Sequence, residues 1–165
     1  MNAIELLTSQ HREFDDLFEE YEAAGEGATR ARERVFKQIA DALAIHSEVE
    51  EKIFYPELTE ADPELEEALR ESVEEHLSMK RIIADLLDAG SQDPQFDAKV
   101  RVLQEQVEHH VEEEEGELFP RTRRSCSSDQ LDEMGARMEE LSDDLEARGE
   151  AASDVPGQTD EAAPI

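Results

Sequence analysis

The chain has 165 residues, enough to bury one hydrophobic core without disulfide help, and 16 basic against 45 acidic side chains give it a formal net charge of −29. Such a surface repels a phosphate backbone, which excludes nucleic acid as a partner, and the single cysteine, Cys126, excludes an internal disulfide and reads as an ordinary free thiol. The opening Met1-Asn2-Ala3-Ile4-Glu5 has no basic or apolar leader signature and no stretch reaches the ~18 apolar residues of a membrane span, so a soluble, cytoplasmic protein with no membrane partner is expected.

The first helix opens at Asn2, which forms a capping box with Glu5, and carries Leu6, Leu7, Phe14, Leu17, Phe18 and Tyr21 at helical spacing. It runs to about Ala24, where Gly25 and Gly27 stop it. Thr29 is the expected cap of a second helix with Val35, Ile39, Leu43, His46, Glu50 and Ile53 on one face, ending before Pro56. Asp62-Pro63 starts a third, because Asp caps well and proline is tolerated at the first helical position. That helix bears Leu65, Leu69, Val73, His76, Ile83 and Leu87 and terminates at Gly90. Asp93-Pro94 repeats the start signal, and Phe96, Val100, Leu103, Val107, His110, Glu114 and Leu118 continue the stripe to Pro120. Four long helices with short turns predict an all-α fold over residues 1–124, an up-down-up-down antiparallel four-helix bundle. An additional amphipathic C-terminal helix is expected over 125–148, opened by Ser127 or Ser128 and carrying Leu131, Met134, Met138, Leu141 and Leu145. Its stripe can dock on the bundle or mediate self-association through residues 131–145. Residues 149–165, dominated by Ala, Gly, Pro and acidic side chains, are expected to form a disordered acidic tail.

Two segments of the chain repeat each other. His46-Ser47-Glu48-Val49-Glu50-Glu51-Lys52-Ile53-Phe54-Tyr55-Pro56 and His110-Val111-Glu112-Glu113-Glu114-Glu115-Gly116-Glu117-Leu118-Phe119-Pro120 both read H-x-x-x-E-E-x-x-[FL]-[YF]-P. Residues four apart share a helix face, so each histidine stacks over its glutamate and both can reach one point. His11 and His76 lie on the preceding helices, 35 residues before His46 and 34 before His110. At ~1.5 Å per residue, all four histidines sit roughly 20 to 25 Å from the turn of their own hairpin, hence at one level of the bundle. A lone histidine on an apolar face is ordinarily a hydrogen-bonded core residue. Four at one level, two of them with duplicated i+4 glutamates, point instead to ligation.

Glu50 and Glu114 share their faces with aliphatic residues, where an unpaired carboxylate costs several kcal/mol to bury, so a cation is expected between them. His11, His46, Glu50, His76, His110 and Glu114 are too many ligands for one tetrahedral zinc and suit two borderline metal ions bridged by the glutamates. Glu48, Glu112 and Glu113 read as solvated surface, and His109 as a surface residue or one lying behind the ligands. The sequence shows no Glu-x-x-His pair, no H-E-x-x-H and no glycine-rich phosphate loop that would support another kind of site.

The pattern His11 … His46-x-x-x-Glu50 … His76 … His110-x-x-x-Glu114 resembles the hemerythrin-like HHE cation-binding domain family over about residues 2–120. The resemblance implies a non-haem di-iron centre, two iron ions bridged by Glu50 and Glu114 with an accompanying oxo or hydroxo bridge. It implies a small diatomic ligand or peroxide as the partner, in O2 binding, sensing, iron handling, or peroxide- or NO-consuming activity. The oxygen carriers of that family have a further histidine one turn along the third helix, where this chain has Lys80. They also place an aspartate five residues after the last histidine, where this chain has Glu114 at four. The implied site is poorer in nitrogen, leaving a position for water, Tyr55, Glu51, Glu115 or an exogenous ligand, which favours redox chemistry or sensing over oxygen carriage. The alternative is a metal-free or zinc-binding helical interaction protein that uses the C-terminal amphipathic helix.

Overall fold

Asn2 caps the first helix in the computed structural model, which describes residues 1–165: its side chain accepts from the Glu5 amide, and the Glu5 carboxylate accepts from the Asn2 amide, both at 3.0 Å. Helix α1 (Ala3–Ala23) is followed by Gly25 and Gly27, whose φ of 76° and 84° lie in the left-handed region that glycine tolerates. Helix α2 (Thr29–Val49) starts at Thr29 itself, with Ala28 in the capping position and no side-chain cap bond. The cap expected from Thr29 is thereby corrected: the residue is already helical, and its hydroxyl donates back to the Gly27 carbonyl at 3.4 Å.

Pro56 and Pro120 do not end their helices. The chain passes from α2 through a widened π-helical turn, Glu50–Phe54, into α3 (Tyr55–Ala61). It passes in the same way from α5 (Phe96–Glu113) through Glu114–Leu118 into α6 (Phe119–Ser125). The Tyr55 and Phe119 amides donate to the Glu50 and Glu114 carbonyls, five residues back, immediately before each proline. In a regular α-helix a proline lacks the amide and collides with the carbonyl four residues behind it; the wider turn moves that carbonyl aside. Each repeat therefore places a widened turn at its glutamate.

Between these two helix pairs, Asp62 accepts from the Glu64 amide at 3.3 Å and opens a 3-10 turn, Pro63–Leu65, leading into α4 (Glu66–Ala89). Asp93 accepts from the Gln95 amide at 2.9 Å just ahead of α5. Helix α7 (Ser128–Arg148) begins with a capping box between Ser127 and Gln130. α1 packs along α2 and α4 along α5, while α7 lies on α1, α2 and the first widened turn. Leu131, Met134, Met138 and Leu145 are buried there, so the α7 stripe docks on its own bundle. Gly135 makes the approach close, since a Cβ at that position would come within 2.7 Å of the Ala3 amide nitrogen.

Residues 149–165, expected to be disordered, are instead folded. Gly149 and Glu150 turn the chain with φ of 68° and 53°, Ala151–Gln158 forms a 3-10 helix, and Ala152 and Val155 are buried against α2 and α4. The Ala152 amide donates to Asp41 at 2.7 Å, and the Arg81 guanidinium donates to the Thr159 carbonyl at 3.0 Å. Composition misled because a segment tethered to a formed bundle needs only a few anchoring side chains to offset its ordering entropy. No helix is long and apolar enough to cross a membrane.

The buried hydrophobic side chains divide into two clusters, one including Leu7, Val49, Val73 and Leu118, the other including Phe14, Leu43, Met79 and Val107. His11, His46, His76 and His110 each fall between a member of the first and a member of the second along their own helix. A polar layer therefore cuts the core in two.

Candidate metal centre

Four helices deliver one histidine each to that layer, α1 His11, α2 His46, α4 His76 and α5 His110, and the two widened turns deliver Glu50 and Glu114. The structure brings all six predicted side chains together, none more than 2% exposed. Glu50 Oε2 lies 3.3 Å from His46 Nε2, 3.1 Å from His76 Nε2 and 3.8 Å from His110 Nε2. Glu114 reaches His11 Nε2 at 3.2 Å through Oε2 and His110 Nε2 at 3.5 Å through Oε1. The atoms form two groups that share Glu50, His11 and His46 with both glutamates and His76 and His110 with Glu50.

The outward nitrogens explain the orientation. His11 Nδ1 donates to Glu115 at 2.9 Å, His46 Nδ1 to Gln10 at 2.8 Å, His76 Nδ1 to Glu51 at 2.9 Å and His110 Nδ1 to Glu75 at 3.0 Å. An acceptor on each Nδ1 puts the hydrogen there and leaves the inward Nε2 with a lone pair, the tautomer a ligand needs. Glu51 and Glu115, candidate ligands in the sequence, thus stand behind His76 and His11. Lys80 holds Glu51 at 2.8 and 2.9 Å, and Arg12 holds Glu115 at 2.6 and 2.7 Å. Sequence reasoning missed Gln10 and Glu75. Both immediately precede a predicted histidine, and that shared register was the signal available.

The inner atoms lack partners. His11 Nε2, His46 Nε2, Glu50 Oε1 and Glu114 Oε2 are fully buried with no hydrogen bond. His76 and His110 present their Nε2 atoms to each other at 3.1 Å, and two facing lone pairs need a proton or a larger cation between them. Burial pushes His46 down to about 3, so it is a neutral imidazole at neutral pH. At His11 and His76 burial opposes protonation, but Glu114 and Glu115, and Glu50 and Glu51, outweigh it and raise both above the usual imidazole value. His110 is raised further against the same burial, by Glu114, Glu50 and Glu75. Burial and the neighbouring Glu50 raise Glu114, whereas at Glu50 the effect of burial is overcome by the surrounding imidazoles, which hold it well below the usual carboxylate range.

Tyr55 is buried with its hydroxyl 2.9 Å from both Glu50 Oε2 and Glu114 Oε1 and 3.4 Å from His76 Nε2. One phenolic hydrogen cannot serve two carboxylates, so the second contact requires a proton on a carboxylate, in keeping with the raised Glu114. Burial, Glu114 and Glu50 keep the phenol protonated. His109, by contrast, is 63% exposed and contacts Glu113 and Glu75 at the surface. Orphaned imidazole and carboxylate atoms in a buried layer, each imidazole braced from behind, fit a site for borderline cations.

The family model described as the hemerythrin HHE cation binding domain matches residues 2–122. A curated protein named DNA nickase, from a Nostoc species, is 26% identical over 148 residues, 90% of this chain, and this chain spans 41% of that relative's length. The crystal structure of a hemerythrin HHE cation binding domain-containing protein from Mycobacterium kansasii matches with a TM-score of 0.77 at 22% identity, covering 96% of this chain and 94% of that one. At that identity the likeness speaks for the fold.

Proposed function

This chain belongs to the hemerythrin HHE cation-binding domain family, and from that premise we propose that its core, read as an up-down-up-down four-helix bundle, holds two iron ions and acts on O2, NO or peroxide. His11 and His46 would hold one ion and His76 and His110 the other, with Glu50 and Glu114 between them. A pair of ferrous ions supplies the electrons and the open coordination positions that binding or reduction of such small ligands requires. The observation that carries the reading is the set of buried, unpartnered His11 Nε2, His46 Nε2, Glu50 Oε1 and Glu114 Oε2 atoms, which polar packing alone leaves unexplained.

The chain's own groups shape the reaction space. Glu51, Glu115, Gln10 and Glu75 fix the imidazole tautomers, and the two hydrophobic clusters above and below keep bulk water away. Tyr55, kept protonated, is a hydrogen-bond donor at the carboxylate pair. With Lys80 tied to Glu51, no fifth imidazole joins the second group, which favours redox chemistry or sensing over reversible oxygen carriage. A cytoplasmic location belongs to the same proposal. The nicking activity named for the Nostoc relative is not carried over, because a chain of net charge −29 repels a phosphate backbone.

The test is elemental analysis of protein purified without added metal, paired with an absorption spectrum before and after exposure to O2. Iron near two equivalents per chain, with a charge-transfer band that appears on oxidation, is the expected result. Protein that carries zinc or no metal, and gains no band after ferrous loading, overturns the proposal.

A further inference from the structure

We propose that the outer face of α4 and α5 is the port through which divalent cations reach the centre, with His109, Glu113 and Glu75 as the site that first receives them. The inference rests on the metal-centre reading. His109 Nε2 lies 3.2 Å from Glu113 Oε1 and 3.7 Å from Glu75 Oε2, and the three ligand atoms lie within 4.8 Å of one another. One imidazole and two carboxylates, two of the three on one helical turn and the third across a helix contact, suit a borderline divalent ion.

A separate observation gives that group a destination. A cavity of about 210 Å³ opens beside it, walled by Glu71, Glu75, Glu113 and Glu117, and its lining includes the buried His110 and Glu114. Glu114 is 2% exposed, and its Oε2, 3.2 Å from His11 Nε2, makes no hydrogen bond. The guanidinium on the wall, Arg121, is already committed to Asp62 and Glu64. A low-dielectric cleft lined by carboxylates concentrates cations at its mouth and accelerates their capture. Glu75 joins the two places, because one of its oxygens accepts from His110 Nδ1 at 3.0 Å while the other faces His109.

The internal repeat supplies a control within the same molecule. The residues of the first hairpin that stand where His109, Glu113 and Glu117 stand in the second are Ile45, Val49 and Ile53, all buried. Gln10 stands where Glu75 does, and a neutral amide is enough to hold a histidine Nδ1–H, as it does for His46 at 2.8 Å. The negative charge and the spare oxygen of Glu75 are therefore not needed for bracing. Helix α7 packs over the first face, in one apolar cluster with Ile45, Val49 and Ile53, whereas the second face has a cavity lined by acids. One face of the duplicated frame is sealed with hydrocarbon and the other is built from cation ligands.

The experiment uses the full chain stripped by chelator, with cobalt(II) as the probe and its d–d absorption followed by stopped flow. In a His109→Ala, Glu113→Gln variant, the final spectrum, two bound cobalt ions and the thermal unfolding curve are expected to match the unsubstituted chain. The uptake rate is expected to fall about tenfold, the lower end of electrostatic steering, with a weaker dependence on ionic strength. A charge-matched Glu19→Gln control on α1 is expected to load at the original rate. Equal rates for the double variant and the unsubstituted chain, both ending at two cobalt ions, overturn the port and leave the centre standing. Equal slowing in the Glu19 control also overturns it, by making overall charge the cause. Failure of the unsubstituted chain to bind cobalt at all overturns the centre and the port together.

Discussion

The two hairpins of this protein carry the same ligand frame and surround it differently. In the first, His11 is braced by Glu115, whose partner Arg12 has a 57% exposed side chain, and Phe119 stacks on the His11 ring at 5.7 Å. In the second, His76 is braced by Glu51 and the buried Lys80, and Tyr55, at the same place in the repeat as Phe119, stacks on the His76 ring at 5.6 Å. The exchange of Phe for Tyr adds one hydroxyl, and that hydroxyl lies between the two glutamates. Glu50 contacts three histidines and Glu114 two. A repeat can thus fix where ligands stand while single exchanges such as Phe119 for Tyr55 make the halves chemically unequal.

The strongest way to break the comparison is to remove the shared carboxylates. Glu50→Gln with Glu114→Gln is expected to lower affinity for both ions by more than ~100-fold, beyond the range typical of outer-partner changes, measured by competition with a chelator. Unchanged metal content would break the account of both halves at once.

Removing the braces sharpens the contrast at a smaller scale. Glu51→Ala is expected to weaken the His76–His110 half by the ~10- to 100-fold usual for such partners, and Glu115→Ala to cost less, its brace being the more exposed. Metal affinities of the two single variants check this, and a larger loss for Glu115→Ala would reverse the proposed ranking.

Acid should separate the halves. His76 and His110 both hold protons above the usual imidazole value, whereas in the first pair only His11 does and His46 is lowered to about 3. A metal must displace those protons, so as pH falls competition grows fastest at the half with two raised histidines. A titration of the cobalt-loaded protein downward from neutral pH is expected to lose the His76–His110 ion first. Simultaneous loss of both ions would contradict this order.

The smallest effect concerns the cover. Gly135→Ala would push a Cβ against the Asn2 and Ala3 backbone, and a destabilisation of about 1 to 3 kcal/mol is expected from thermal or denaturant unfolding. A neutral result would show that α7 can shift off the first hairpin at no cost.

Much of this was legible in the sequence for a physical reason. Helical spacing fixes which residues share a face, and burial forbids unpaired carboxylates there, so His46 with Glu50 and His110 with Glu114 could be brought together before any fold was known. What stayed hidden depends on backbone detail. Pro56 and Pro120 read as stops because the rule for proline assumes a regular helix, and the widened turns at Glu50 and Glu114 suspend it. Gln10 and Glu75 were hidden because the register that carries them past a neighbouring helix's histidine is a property of packing between helices. Ala152 and Val155 anchor the tail through two small buried side chains, too weak a signal to stand out in an acidic, proline-containing stretch.

The most direct test is an anomalous difference map at the iron edge from crystals of the iron-loaded protein. The account predicts two peaks, one beside the Nε2 atoms of His11 and His46 and one beside those of His76 and His110, with Glu50 and Glu114 between them. A single peak, or iron bound only outside the histidine layer, would contradict it.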